Sequence, residues 1–262
     1  QMGVVFDEIN VEPFEKTLPS FVISPTYKWH DNLTTYFSWQ HGEKAGIAQA
    51  TNGISNLVTE EKNDAYELGL KSLLLNNTLV FNLALFEMNI KDSQQTSRVF
   101  DEYTTTLNRQ ADPNANDVYT NATANIPEVR ARGVEIDRVY SGIPNTSIRV
   151  AGAITDAEYI DFTNSPQPSE NGYTGAPQYQ DVSGETLPGA SKYSFNIGVD
   201  YRVPVFDGKE FHTNLNAQYN SKFNSDNSLS TYGWVDGRTL VDFGIGIGNS
   251  NQTFDVNLVV KN

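Results

Sequence analysis

Apolar and polar residues alternate along this chain overwhelmingly with a period of two rather than 3.6. In 65–71, Tyr66, Leu68 and Leu70 share one face while Glu67, Gly69 and Lys71 share the other. In 79–90, Leu79, Phe81, Leu83 and Leu85 line up against a face that includes Asn82 and Ala84. Val134 and Ile136 oppose Gly133, Glu135 and Asp137, and segments 194–201 and 253–258 repeat the pattern. Such alternation predicts strands with one apolar and one polar or glycine face. Roughly ten strands are expected, over 19–29, 33–41, 64–74, 78–91, 127–140, 147–160, 191–205, 210–223, 237–247 and 252–261. Most have the length that crosses a bilayer when tilted.

The links between these strands alternate between short and long. Segments 30–32, 75–77, 141–145, 206–209 and 248–251 are tight and rich in turn-forming residues, whereas 42–63, 92–126, 161–190 and 224–236 are long and polar. A soluble sandwich gives no reason for that alternation, but an outer-membrane barrel has short periplasmic turns and long outer loops. Tyr27, Trp29, Tyr36, Phe37 and Trp39, and later Tyr232 and Trp234, gather near strand ends. Interfacial girdles place aromatics there, although aromatics also favour strands in general. The longest apolar-rich stretch, 79–90, is interrupted by Asn82, Glu87 and Asn89, so no helical membrane span is present.

Composition narrows the function. The 262 residues carry 18 basic and 32 acidic side chains, a net charge of −14, which argues against a nucleic-acid binder. There is no cysteine, and the only histidines are His30, His41 and His212, far apart in sequence, which disfavours metal or acid–base chemistry. No charged-then-apolar leader follows Gln1, so a leader has been removed or the chain is an internal piece. A mean hydropathy of −0.45 describes an average over two unlike faces and polar loops. No GxSxG, HExxH, P-loop or strand-linked GxGxxG pattern occurs, so no catalytic residue, metal site or cofactor is expected. Gly244, Gly246 and Gly248 read as one bare face of a strand. The pairs Glu60-Glu61 and Asp101-Glu102 read as solvated loop carboxylates.

Particular segments carry a resemblance. The stretch 33–44 is similar to the "tlYasyskGfkpG" segment of TonB-dependent outer-membrane receptors, and 66–71 to their "YElGlK" strand. Segment 79–91 stands where that family has "lrlnlaaFyydyk". Segment 132–136 resembles "kGvEle", and 254–262 resembles the penultimate strand. The resemblance spans about 18–262 and implies the C-terminal part of a plugged 22-stranded antiparallel transmembrane β-barrel, with plug domain, early strands and last strand lacking a counterpart. It further implies import of a scarce solute with energy relayed by TonB, a ferric siderophore first and a carbohydrate or other nutrient next. A non-energised porin or adhesin-like barrel and a soluble β-rich binding domain are the competing classes. Partners implied are TonB, outer-membrane lipid and lipopolysaccharide, and a small-molecule ligand.

Site residues follow from the alternation. Charge on a lipid-facing position is costly, so Glu67, Lys71, Glu135 and Asp137 are expected to face the lumen and the plug. Arg130 and Arg132 fall on the opposite parity near the outer rim, where they meet either lipid A phosphates or solvent. In the third long link, Tyr173 and Tyr179 stand among prolines, glycines and amides. With Trp234 they form the expected ligand-loop set, the alternative being a merely variable loop.

Overall fold

The computed structural model describes residues 15–51, 54–206, 208–251 and 253–262. Gln1, positions 52–53 of the first long link, position 207 of a short link and position 252 of the last expected strand lie outside them. The elements begin with β1 (Phe21–Ile23), β2 (Thr26–His30), β3 (Leu33–Lys44), β4 (Ile47–Thr51), β5 (Ile54–Val58), β6 (Glu61–Leu74) and β7 (Leu79–Phe100). Helix α1 (Glu102–Ala111) precedes β8 (Tyr119–Tyr140), β9 (Thr146–Asp161), β10 (Ser165–Pro166), β11 (Tyr179–Gln180) and β12 (Tyr193–Pro204). Then come β13 (Lys209–Asn220), β14 (Phe223–Asn224), β15 (Trp234–Val235), β16 (Arg238–Asn249) and β17 (Asp255–Lys261).

Eleven strands form one antiparallel meander in sequence order, with β1 and β2 sharing one position beside β3. Those ten positions match the expected strands. The expected strand over 19–29 is split at Pro25, which has no N–H to give the ladder, yet Phe21↔His41 and Thr26↔Tyr36 keep one register. The sheet does not close: β17 at one end and β1 and β2 at the other leave free edges. Among the described residues no helix is long and apolar enough to cross a membrane.

Register turns the alternation into two faces. Phe37, Leu68, Leu85, Val134 and Ile154 are directly paired across five strands and form an apolar row. One residue out of step, Tyr36, Gly69, Ala84, Glu135, Ala153 and Ser194 form a row on the polar face. The glycine face of β16 is covered by its neighbours: His212 Nε2 and Asn257 Oδ1 meet 2.6 Å apart over Gly246.

The long links differ from expectation. Lys44↔Glu61 is continued three residues further by Ile47↔Val58, so β4 and β5 extend the β3–β6 ladder. Likewise β7 and β8 pair without interruption of register from Leu79↔Tyr140 to Phe100↔Tyr119, well inside the link expected over 92–126. Asn224↔Trp234 continues the register of Asn220↔Arg238. At the tip, Asp101 Oδ1 accepts from the Thr104 amide at 2.9 Å and caps α1. Asp101 is buried, as is Glu60, which pairs with Lys16 and Lys62, so neither is the solvated loop carboxylate expected. The buried cluster of Ile126, Val129, Tyr159, Phe162 and Val182 sits at the long-link end, not in the middle of the sheet.

Candidate functional site

The polar face carries a cavity of about 460 Å³ at mid-wall, lined by Tyr36, Glu67, Lys71, Asn82, Glu135 and Asp137 together with backbone and small side chains. Neighbouring strands bring these residues together because each holds the polar parity. The Tyr36 hydroxyl donates to Glu67 Oε1 at 2.5 Å, and Lys71 Nζ stands 5.2 Å from the centre of the Tyr36 ring. Asn82 Nδ2 donates to Asp137 Oδ2 at 3.3 Å. Gly69 makes this possible: a Cβ there would lie 2.1 Å from the Tyr36 ring, which crosses β6 over the bare glycine. Glu135 makes no side-chain hydrogen bond among the described residues, and three carboxylates face one lysine.

A larger cavity of about 980 Å³ opens at the long-link end between 180–193 and 219–237. Its lining mixes Tyr193, Tyr219, Phe223 and Trp234 with Lys192, Lys222, Glu185 and Asp236. Lys222 Nζ lies 5.0 Å from the centre of the Trp234 ring. Hydrogen bonds between the two long links frame the opening. Gln180 Nε2 donates to the carbonyls of Ser228 at 2.7 Å and Pro166 at 3.0 Å. Glu170 Oε1 accepts from the Thr231 amide at 2.7 Å, the Ser230 hydroxyl at 2.8 Å and the Thr231 hydroxyl at 3.0 Å. Its own backbone amide first, then these donors, hold the Glu170 carboxyl below the usual range.

Glu67, Lys71, Glu135 and Asp137 thus share one cavity, whereas the three ligand-loop residues do not. Trp234 lines the larger cavity, while Tyr179 packs on Tyr119 at 5.2 Å and Tyr119 on Phe100 at 5.9 Å. Tyr173 is 67% exposed, with no ring contact among the described residues. On the apolar side, Arg130 pairs with Glu158, and Arg132 Nη2 lies 3.2 Å from Asp156 Oδ2. Sequence reasoning missed Glu170, Gln180, Lys192 and Lys222, because nothing local distinguishes them from other polar loop residues. Among the described residues no cluster of three or more histidine or acidic side chains is arranged to hold a metal.

Comparison with known proteins places this architecture. No curated protein sequence matches the chain. Its fold is similar to the ferric yersiniabactin uptake receptor of Yersinia pestis, with a TM-score of 0.66 and 17% identity over 92% of this chain and 31% of that one. The siderophore receptor PiuA of Acinetobacter baumannii gives 0.64 and 16%, over 92% and 31% of the two chains. The ferric preacinetobactin receptor of the same organism gives 0.61 and 20%, over 93% and 32%. The chain spans about a third of the length of these receptors. The family model described as "TonB dependent receptor-like, beta-barrel" matches residues 2–262. The chain belongs to the TonB-dependent receptor β-barrel family.

Proposed function

We propose that residues 1–262 form the C-terminal part of the barrel of an outer-membrane receptor that imports a scarce solute without transforming it. The plug, the TonB box and the remaining strands lie elsewhere in the full-length protein. A ferric siderophore is the leading cargo, because the matched solved receptors include those for ferric yersiniabactin and ferric preacinetobactin; a carbohydrate or other nutrient is second. The apolar face meets lipid and lipopolysaccharide, the polar face is the lumen wall, the short turns are periplasmic and the long links extracellular.

The observation that carries this reading is the charge imbalance of the mid-wall cavity. Glu67, Glu135 and Asp137 against Lys71 leave a surplus of negative charge on the polar face of the sheet. A plug presenting basic side chains to that wall would neutralise it, whereas an open pore would leave it to water. The cavity beside Trp234, above that wall, is where the long links would first hold the ligand. TonB then supplies the energy that moves the plug.

The test is uptake by cells making the full-length receptor as their sole high-affinity route. Accumulation of labelled iron chelates that stops when the proton gradient is collapsed is the expected result, and a Trp234→Ala variant is expected to need more ligand for half-maximal uptake. Uptake that persists without the gradient would return the porin reading. Energised uptake of an oligosaccharide and no iron chelate would replace the cargo while leaving the receptor intact.

A further inference from the structure

Above the apolar band the same outward face changes character within one residue pair. Leu85, Val134 and Ile154 are followed two positions along their strands by Glu87, Arg132 and Asp156, which are directly paired with one another. These three line an outward cavity of about 370 Å³ whose floor includes Val134 and Ile154, 38% and 45% exposed. The next row, Asn89, Arg130 and Glu158, closes the top with a tighter and less exposed ion pair. Across the cavity the signs run negative, positive, negative, at the strand spacing of about 4.8 Å.

Arg132 is only loosely engaged. Its Nη2 and Nε lie 3.2 Å and 3.4 Å from the same Asp156 oxygen, and about half of each side chain is exposed. A guanidinium has five N–H donors, so most remain available for an anion. Glu87 has one oxygen bonded to Asn89 Nδ2 at 3.1 Å and its other oxygen without a hydrogen-bond partner among the described residues. A bare phosphate approaching Arg132 therefore also meets two carboxylates, which repel it. A phosphate that carries an ammonium group on a short arm meets complementary charges at the adjacent pair Arg132 and Glu87.

We infer that this cavity seats an outer-leaflet lipopolysaccharide whose lipid A phosphate bears an ammonium substituent such as ethanolamine. The phosphate lies on Arg132, the ammonium on the neighbouring Glu87 carboxylate, and an acyl chain lies against the row of Leu85, Val134 and Ile154 below them. The assignment rests on the outer-membrane orientation proposed above, which puts the long-link end in the outer leaflet, where lipopolysaccharide rather than phospholipid is the abundant amphiphile.

The test is native mass spectrometry on the full-length receptor purified in detergent and offered, in turn, ethanolamine-substituted lipid A, unsubstituted bis-phosphorylated lipid A and phosphatidylethanolamine. Substituted lipid A is expected to be retained about tenfold better than the unsubstituted form, the scale of one charge-assisted hydrogen bond. Glu87→Gln combined with Asp156→Asn should abolish that preference, and Arg132→Gln should lower retention of both lipid A forms. If Arg132→Gln fails to fold, judged by heat-modifiable migration, Glu87→Gln alone carries the test through a smaller preference. Equal retention of the two lipid A forms, an unchanged preference in the carboxylate variants, or better retention of phosphatidylethanolamine than of either lipid A would overturn the inference. A receptor absent from the outer-membrane fraction would instead overturn the orientation on which it rests.

Discussion

Replacing Gly69 by alanine separates the role of the glycine from that of the strand. The added Cβ would meet the Tyr36 ring at 2.1 Å, but the atoms in the way are Cζ, Cε1 and the hydroxyl, the far end of a side chain. The ring can therefore swing aside without moving β6, and what is lost is its place over the strand and its 2.5 Å bond to Glu67. A hydrogen bond to a charged group contributes about 1.5–3 kcal/mol, and in a cavity open to water the lower end applies, so Gly69→Ala should cost about 1–2 kcal/mol. Tyr36→Phe, which keeps the ring and removes the donor, should cost a similar amount. In a Tyr36→Ala background nothing stands in the way, and Gly69→Ala should be neutral or stabilise by roughly 0.5 kcal/mol through strand propensity. The assay is equilibrium guanidinium unfolding of the full-length receptor in detergent micelles, with the wild type and the four variants compared at equal m. If Gly69→Ala costs as much without the Tyr36 ring as with it, the crossing of Tyr36 over Gly69 is not why glycine stands there.

Gly133→Ala should cost more, near 3 kcal/mol in the same assay, because its Cβ would meet the Ile154 carbonyl at 2.2 Å and backbone cannot swing aside. Glu170→Gln should raise amide exchange at Thr231, because the accepting oxygen loses its charge. The Glu170 carboxyl is held below its ordinary range, so its contribution is complete above that range and is lost as pH falls through the lowered value. Protection of the Thr231 amide, corrected for the intrinsic pH dependence of exchange, should then fall only in acid, and protection that stays constant with pH would deny the clasp. Glu60, held down to about 2 by Lys16, its own backbone amide and Lys62, follows the same sign. Proteolysis near Lys16 should stay slow above pH 4.5 and quicken toward pH 2, and Glu60→Gln should quicken it at pH 7.

What the sequence discloses follows from which constraints act on each segment. In 65–71 and 79–85 one face must be apolar, so alternation fixes parity, and parity placed Glu67, Lys71, Glu135 and Asp137 on one face before any contact was known. The shared cavity is the geometric consequence of four strands keeping that parity in register. From Ser93↔Ile126 to Phe100↔Tyr119 the same ladder continues, but Gln94, Gln95 and Thr96 face Asn125, Ala124 and Thr123. Both faces are polar there, so strand hydrogen bonds hold the pairing without any side-chain pattern to announce it. That Tyr179 and Trp234 do not share a cavity has a related reason. Their positions depend on Glu170 and Gln180 reaching residues 61 and 48 positions away, contacts that a single sequence does not encode locally. Lipid, on the proposed orientation, demands apolar atoms at every second position and so leaves a strong periodic signal in the wall. Above it, water accepts either polar face, and the folding of the links is decided by a few side-chain-to-backbone bonds between distant segments. On the proposed function, ligand specificity would then reside in the part of the chain where periodicity is weakest, which is why the wall is readable in this sequence and the cavity beside Trp234 is not.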